Sequence, residues 1–91
     1  LVFSWAFRDS HIPFPHWAAG DGRAGINLLP DADPTVANQM QSAIQAWRQP
    51  GDAVIASLHW GANWVSEIPD AHRALARRLI DLGAVDVIHG H

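Results

Sequence analysis

Two apolar runs in this chain finish on histidine: Val54-Ile55-Ala56-Ser57-Leu58-His59, and Val87-Ile88-His89-Gly90-His91. Their valines and isoleucines favour strands, and the stretch between them has the length and patterning of one helix. Two such strands joined by a helix form a parallel pair with a right-handed crossover. Open α/β sheets bind ligands outside the carboxyl ends of their strands. The pattern therefore predicts an α/β protein with imidazoles along one edge of its sheet. Alternation sets Ile55, Ser57 and His59 on one side of the first strand and Val54, Ala56 and Leu58 on the other. Both sets are apolar or small, which predicts a strand covered on two sides.

The other elements follow from local signals. Leu1 to Ala6 reads as a buried strand, and Phe7 to Arg23, which contains Pro13 and Pro15, reads as a long loop. Asp33-Pro34 is a helix start, with an Asp N-cap and Pro at the first helical position. Val36, Met40, Ile44 and Trp47 then recur at helical spacing until Pro50-Gly51 ends the helix. Trp60 to Pro69 reads as a second loop. Asp70 is a candidate cap for the next helix, Leu75, Leu79 and Leu82 form its apolar stripe, and Gly83 terminates it. A last strand covers Val85 to His89. The order strand, helix, strand, helix, strand predicts a parallel sheet, with no internal repeat and no low-complexity tract.

Ninety-one residues form at most one small domain. A chain that opens in mid-strand and stops on a motif is expected to be a piece of something larger. The apolar start is too short to span a membrane and no basic segment precedes it. Six arginines, no lysine and nine acids give a formal charge of -3, and without a basic stripe nucleic-acid binding is not expected. The absence of cysteine removes disulfides and thiolate metal sites. A metal would be held by His, Asp, Glu or Asn.

If the two histidine-tipped strands are neighbours, about 4.8 Å apart, His59 and His91 extend from the same rim. Imidazole suits zinc, manganese or iron, with nitrogen about 2.0 to 2.1 Å from a zinc ion. Gly90 would let the backbone turn sharply beside a metal or substrate. Each histidine can also be read as an ordinary strand end, hydrogen-bonded or solvated.

The residues Pro50-Gly51-Asp52-Ala53-Val54-Ile55-Ala56-Ser57-Leu58-His59-Trp60-Gly61, then Asn63-Trp64, Glu67-Ile68-Pro69 and Leu79-Ile80-Asp81-Leu82-Gly83-Ala84-Val85-Asp86-Val87-Ile88-His89-Gly90-His91, carry a resemblance. The chain resembles the poly-gamma-glutamate capsule biosynthesis proteins, the CapA-like family, whose fold is similar to that of calcineurin-like metallophosphoesterases. The resemblance implies a partial α-β-β-α sandwich, with residues 1–91 as the C-terminal part of one such domain. It implies a site with two divalent ions, manganese, zinc or iron. His59 matches the family's lone histidine after a strand and His91 the first histidine of its Gly-His element, both as metal ligands and catalytic residues. The early Asp and Asn motifs that complete the site would precede Leu1, and the second histidine of the Gly-His element would follow His91. His89 falls where the family has no fixed ligand.

Paired ions of this kind, about 3.5 to 4 Å apart, polarise a phosphoryl or acyl oxygen and lower the pKa of a bridging water. A metal-bound histidine needs an acceptor for its other ring N–H, for which Asp86 or a backbone carbonyl is available. In the loop after His59, Trp60, Asn63 and Glu67 are candidate substrate-binding residues, and Trp64 would wall the cleft or join the core. His72, early in a helix, reads as a surface residue. His11 and His16 lie in the long loop, and Arg77-Arg78 reads as a solvated helix face. Two functions fit the resemblance. One is a metal-dependent hydrolase acting on an anionic polymer or a phosphorylated substrate in poly-gamma-glutamate capsule synthesis. The other is a non-catalytic scaffold or polymer-binding component working with other capsule synthesis proteins. Either implies the bacterial cell envelope, membrane-associated or extracytoplasmic.

Overall fold

In the structure, a computed structural model that describes residues 1–13 and 15–90, four strands form one parallel sheet in the order β2-β1-β3-β4. The strands are β1 (Val2–Phe7), β2 (Leu28–Leu29), β3 (Ile55–His59) and β4 (Val87–Gly90), and the helices are α1 (Ala37–Gln45) and α2 (Asp70–Asp81). The architecture is mixed α/β and consistent with part of an α/β sandwich. The two histidine-tipped runs are neighbours, with Ile55 opposite Val87 and Leu58 opposite Gly90. His91 lies outside the described residues.

Local chemistry explains the helix starts. The Asp33 carboxylate accepts the Thr35 N–H at 2.8 Å and is also bonded by the Thr35 hydroxyl, with Pro34 opening a 3-10 turn, Pro34–Val36, that runs into α1. These bonds hold the Asp33 carboxyl below the usual carboxylate range. Asp70 does not cap α2. Pro69 occupies the cap position, and the Asp70 carboxylate instead pairs with Arg73 at 3.2 Å on the solvent side. Gly83 follows α2 at a φ of 67°.

Both helices cover the same face of the sheet. Met40 and Ile44 of α1, and Leu75 and Leu79 of α2, join Trp5, Phe7, Ala56 and Leu58 in one core, most of them fully buried. Trp47 lies beyond the last turn of α1 and is 73% exposed, so it leaves the stripe that Val36, Met40 and Ile44 maintain. Phe7 belongs to β1, where it is fully buried, rather than to the loop. The start of β1 is not buried: Leu1 and Val2 are exposed, and only Trp5, Ala6 and Phe7 are covered. Strand β2 adds two residues on the outer side of β1, with Leu28 opposite Ala6 and Leu29 opposite Phe7.

The expectation of a strand covered on both sides does not hold within this chain. Val54, Ala56 and Leu58 are buried under the helices, whereas Ile55 and Val87 are exposed and Ser57 and His59 half-buried on the opposite face. The alternation was correct, but no helix among the described residues lies on that second face. Asp86 is also not available to a histidine at the rim. Its carboxylate accepts the Val54 N–H at 2.8 Å and lies 3.5 Å from Arg48 Nη2, at the amino end of β3 and β4.

Candidate functional site

His59 is the last residue of β3, and its side belongs to the open face. It lines a cleft of about 650 Å³ with Ser4 and Ala6 of β1, Ser57 and His89, walled on one side by Ile12 and Ile26 of the segment after β1. Asn27 fastens that wall, donating from Nδ2 to the Ser4 carbonyl at 3.2 Å. His89 faces the same cleft, its Nδ1 3.4 Å from Ser57 Oγ. Two imidazoles, His59 and His89, therefore look into one cavity at the carboxyl half of the sheet.

A second constellation crosses the rim beside it. After β1 the chain makes a 3-10 turn, Arg8–Ser10, closed by the Ser10 hydroxyl donating to the Phe7 carbonyl at 2.6 Å. This turn places Asp9 between β3 and α2. Asp9 Oδ1 accepts the Gly61 N–H at 3.1 Å, and Oδ2 lies 2.7 Å from His72 Nε2. The His72 ring stacks on Trp60, centroids 4.7 Å apart and planes 2° from parallel, and Trp60 in turn tilts against Phe7 at 6.2 Å. Gly61 has a φ of 81°, where any other residue would be strained. Gly90 is the last residue of β4, and a Cβ there would come within 2.9 Å of the Trp60 indole nitrogen, so close packing against Trp60 also favours glycine here.

His72 is a correction to the sequence reading, because it is 5% exposed and not on the surface. The signal was present: residues 72, 75 and 79 share one helical face, and the leucine stripe of α2 runs on to the imidazole. Its partner Asp9 had no sequence signal at all, since nothing local links the two positions.

The remaining candidates separate. Glu67 lines a rim cleft of about 640 Å³ with Asp9, His11, Gly61 and Arg73. Trp60 and Glu67 also border a smaller recess beside Gly90. Glu67 thus lies on a different cleft from His59. Asn63 is exposed and borders neither cleft. Trp64 is fully exposed at a φ of 63°, so it neither walls a cleft nor enters the core. His16, Arg77 and Arg78 are exposed. Among the described residues no three His, Asp or Glu side chains come together closely enough to hold a metal ion. No helix among them is long and apolar enough to cross a membrane.

Comparison with known proteins places this geometry in a family context. The sequence profile described as bacterial capsule synthesis protein PGA_cap matches residues 2–91. The chain is 40% identical over 92 residues to a probable polyglutamine synthesis accessory protein of Mycobacterium tuberculosis strain CDC 1551 / Oshkosh. The same identity is found with the protein of that name in strain ATCC 25618 / H37Rv. Each match covers 100% of this chain and 24% of the relative, so the chain spans about a quarter of the length of these relatives. No solved structure matches the chain.

Proposed function

Because the chain belongs to the bacterial capsule synthesis protein PGA_cap family, we propose that it is part of an accessory protein for the synthesis or export of an anionic glutamate polymer. In this reading it works at the bacterial cell envelope beside other components of the synthesis machinery. The observation that carries it is the family match over residues 2–91, and His59 is where the chemistry of such a protein would be placed. An imidazole at the carboxyl end of a central parallel strand, facing a cleft, stands where open α/β sheets place their chemistry. The capsule-synthesis family and the relatives, described as probable polyglutamine synthesis accessory proteins, support a role in making a polymer. Glutamate as its unit comes from the resemblance to the poly-gamma-glutamate capsule proteins, and free glutamate carboxylates would make such a chain anionic.

The finer reading is a metallophosphoesterase-like protein in which His59 and His91 each give one imidazole to a pair of divalent ions, manganese, zinc or iron, with hydrolysis of a phosphoryl or acyl substrate. The described residues do not by themselves make such a site, because they bring no three ligands together. On this reading the other ligands come from the part of the longer protein that this chain does not span. What the described residues contribute is the placement of one donor. His59 is fixed at the end of a strand paired on both sides, and neutral imidazole is a ligand that many divalent ions accept. Trp60, Asn63 and Glu67 remain the candidates for polymer contact, with Glu67 on the rim cleft and both Trp60 and Glu67 on the recess beside Gly90.

The test is genetic and chemical. In a host bacterium that makes the polymer, deletion of the gene should abolish cell-associated polymer, and a copy carrying His59→Ala should fail to restore it. Normal polymer in the deletion strain would overturn the accessory role. Restoration by His59→Ala would confine the failure to the assignment of that residue.

A further inference from the structure

We propose that Asp9 and His72 form a positioning pair that fixes the chain leaving His59, and with it the wall of the rim cleft that carries Glu67. The proposal rests on the reading of His59 as a ligand given above, but its parts are separate residues on separate elements. One carboxylate serves two of them. Asp9 Oδ1 takes the Gly61 N–H at 3.1 Å and Oδ2 takes His72 Nε2 at 2.7 Å. Asp9 comes from the turn after β1, Gly61 from the chain after β3, and His72 from the first turn of α2.

Burial makes the arrangement interdependent. A polar ring enclosed as His72 is must keep a hydrogen-bond partner or lose free energy. Asp9 supplies that partner, and a bond to a carboxylate is stronger than one between neutral groups. The imidazole then offers a flat face to Trp60, which presses on Gly90 of β4. A single carboxylate thereby links the ends of β1, β3 and β4 to the start of α2. It holds Gly61 directly and Trp60 through the His72 ring, and these are the two residues that follow His59 in the chain. Neither Asp9 nor His72 needs to touch a substrate. They act by setting the direction of the backbone that leaves His59, since small errors in the placement of a ligand or contact residue cost large factors in binding.

The pair can be taken apart by variants that separate its two bonds. His72→Phe keeps a flat ring against Trp60 and removes the donor. His72→Gln restores a donor near the place of Nε2 and removes the ring. Asp9→Ala removes both acceptors from a half-exposed position, where no large cavity results. Two readouts are measured on a full-length protein containing this sequence: amide exchange of Gly61, and affinity for Mn(II) in wild type and variants. Asp9→Ala removes the Gly61 bond itself and should raise Gly61 exchange by about tenfold or more, the factor expected for loss of a bond to a charged group. His72→Phe, which frees the carboxylate that holds Gly61, should raise it in the same direction. Both should weaken Mn(II) binding, while His72→Gln stays near wild type in both readouts. Unchanged Gly61 exchange in His72→Phe and Asp9→Ala would overturn the pairing, as would a His72→Gln variant that fails like His72→Phe. Faster exchange with unchanged Mn(II) affinity would overturn the positioning role. Should the wild-type protein bind no Mn(II), the reading of His59 as a ligand fails, and the exchange data still decide whether Asp9 and His72 hold the loop.

Discussion

The two faces of the sheet are built from the same strands and have different roles. On one, Trp5, Phe7, Ala56 and Leu58 meet both helices in a continuous apolar core. On the other, Ile55 and Val87 are exposed toward the amino end, and Ser57, His59 and His89 gather around a cleft toward the carboxyl end. Successive residues of one strand point to opposite faces, so Leu58 and His59 are adjacent in the chain and belong to different environments. The comparison teaches that packing and chemistry are separated here by the pleat, with stability drawn from one side and the candidate site placed on the other.

The separation breaks most visibly in the core. Leu79→Ala and Leu75→Ala should each lower stability by about 2–5 kcal/mol, because both side chains are fully buried and the packed face cannot refill the cavity. Ile55→Ala and Val87→Ala, on the open face, should cost under about 1 kcal/mol. Urea denaturation of the four variants measures the contrast, and equal losses on both faces would erase it. A smaller effect is expected at the amino end, where Asp86→Ala leaves the buried Val54 N–H without its acceptor and should cost about 1–2 kcal/mol.

The smallest effect is electrostatic. Hydrogen bonds from Thr35 hold the Asp33 carboxyl below its usual value, so its contribution is fully present above the ordinary carboxylate pKa of about 3.9. That contribution is lost as pH falls through the lower folded-state value. Carbon-detected NMR titration should find the Asp33 midpoint below that of an unfolded peptide, and Thr35→Ala should move it back up. A midpoint unaffected by Thr35→Ala would contradict the cap.

Much of the scaffold was legible because its signals are local. Asp33-Pro34 gave the start of α1, and the periodicity of Leu75 and Leu79 gave the buried side of α2. The alternation through residues 54–59 correctly divided β3 between two faces. What was not legible depends on distant partners. Strand β2 is two residues long and exists through pairing with Ala6 and Phe7. Asp86 resembled a partner for histidine, yet the nearest group in need of an acceptor was the Val54 amide on the neighbouring segment. His72 lay on the apolar stripe, but an imidazole is enclosed only when a partner satisfies it, and that partner, Asp9, lies at the other end of the chain. Among the site residues, His59 stands at the strand end the pattern indicated, whereas Trp64 and Asn63 turned out to be solvent-facing. Loop residues lack the periodicity that assigns a side.

Leu58 and His59 offer the most direct test of the division between the faces. In a full-length protein containing this sequence, stability and bound divalent ions are measured together for Leu58→Ala and His59→Ala. Leu58→Ala should lose about 2–5 kcal/mol and keep its ions under conditions where it stays folded. His59→Ala should stay within about 1 kcal/mol of wild type and lose at least one ion per chain. A His59→Ala protein with its full complement of ions would contradict the placement of chemistry on the open face.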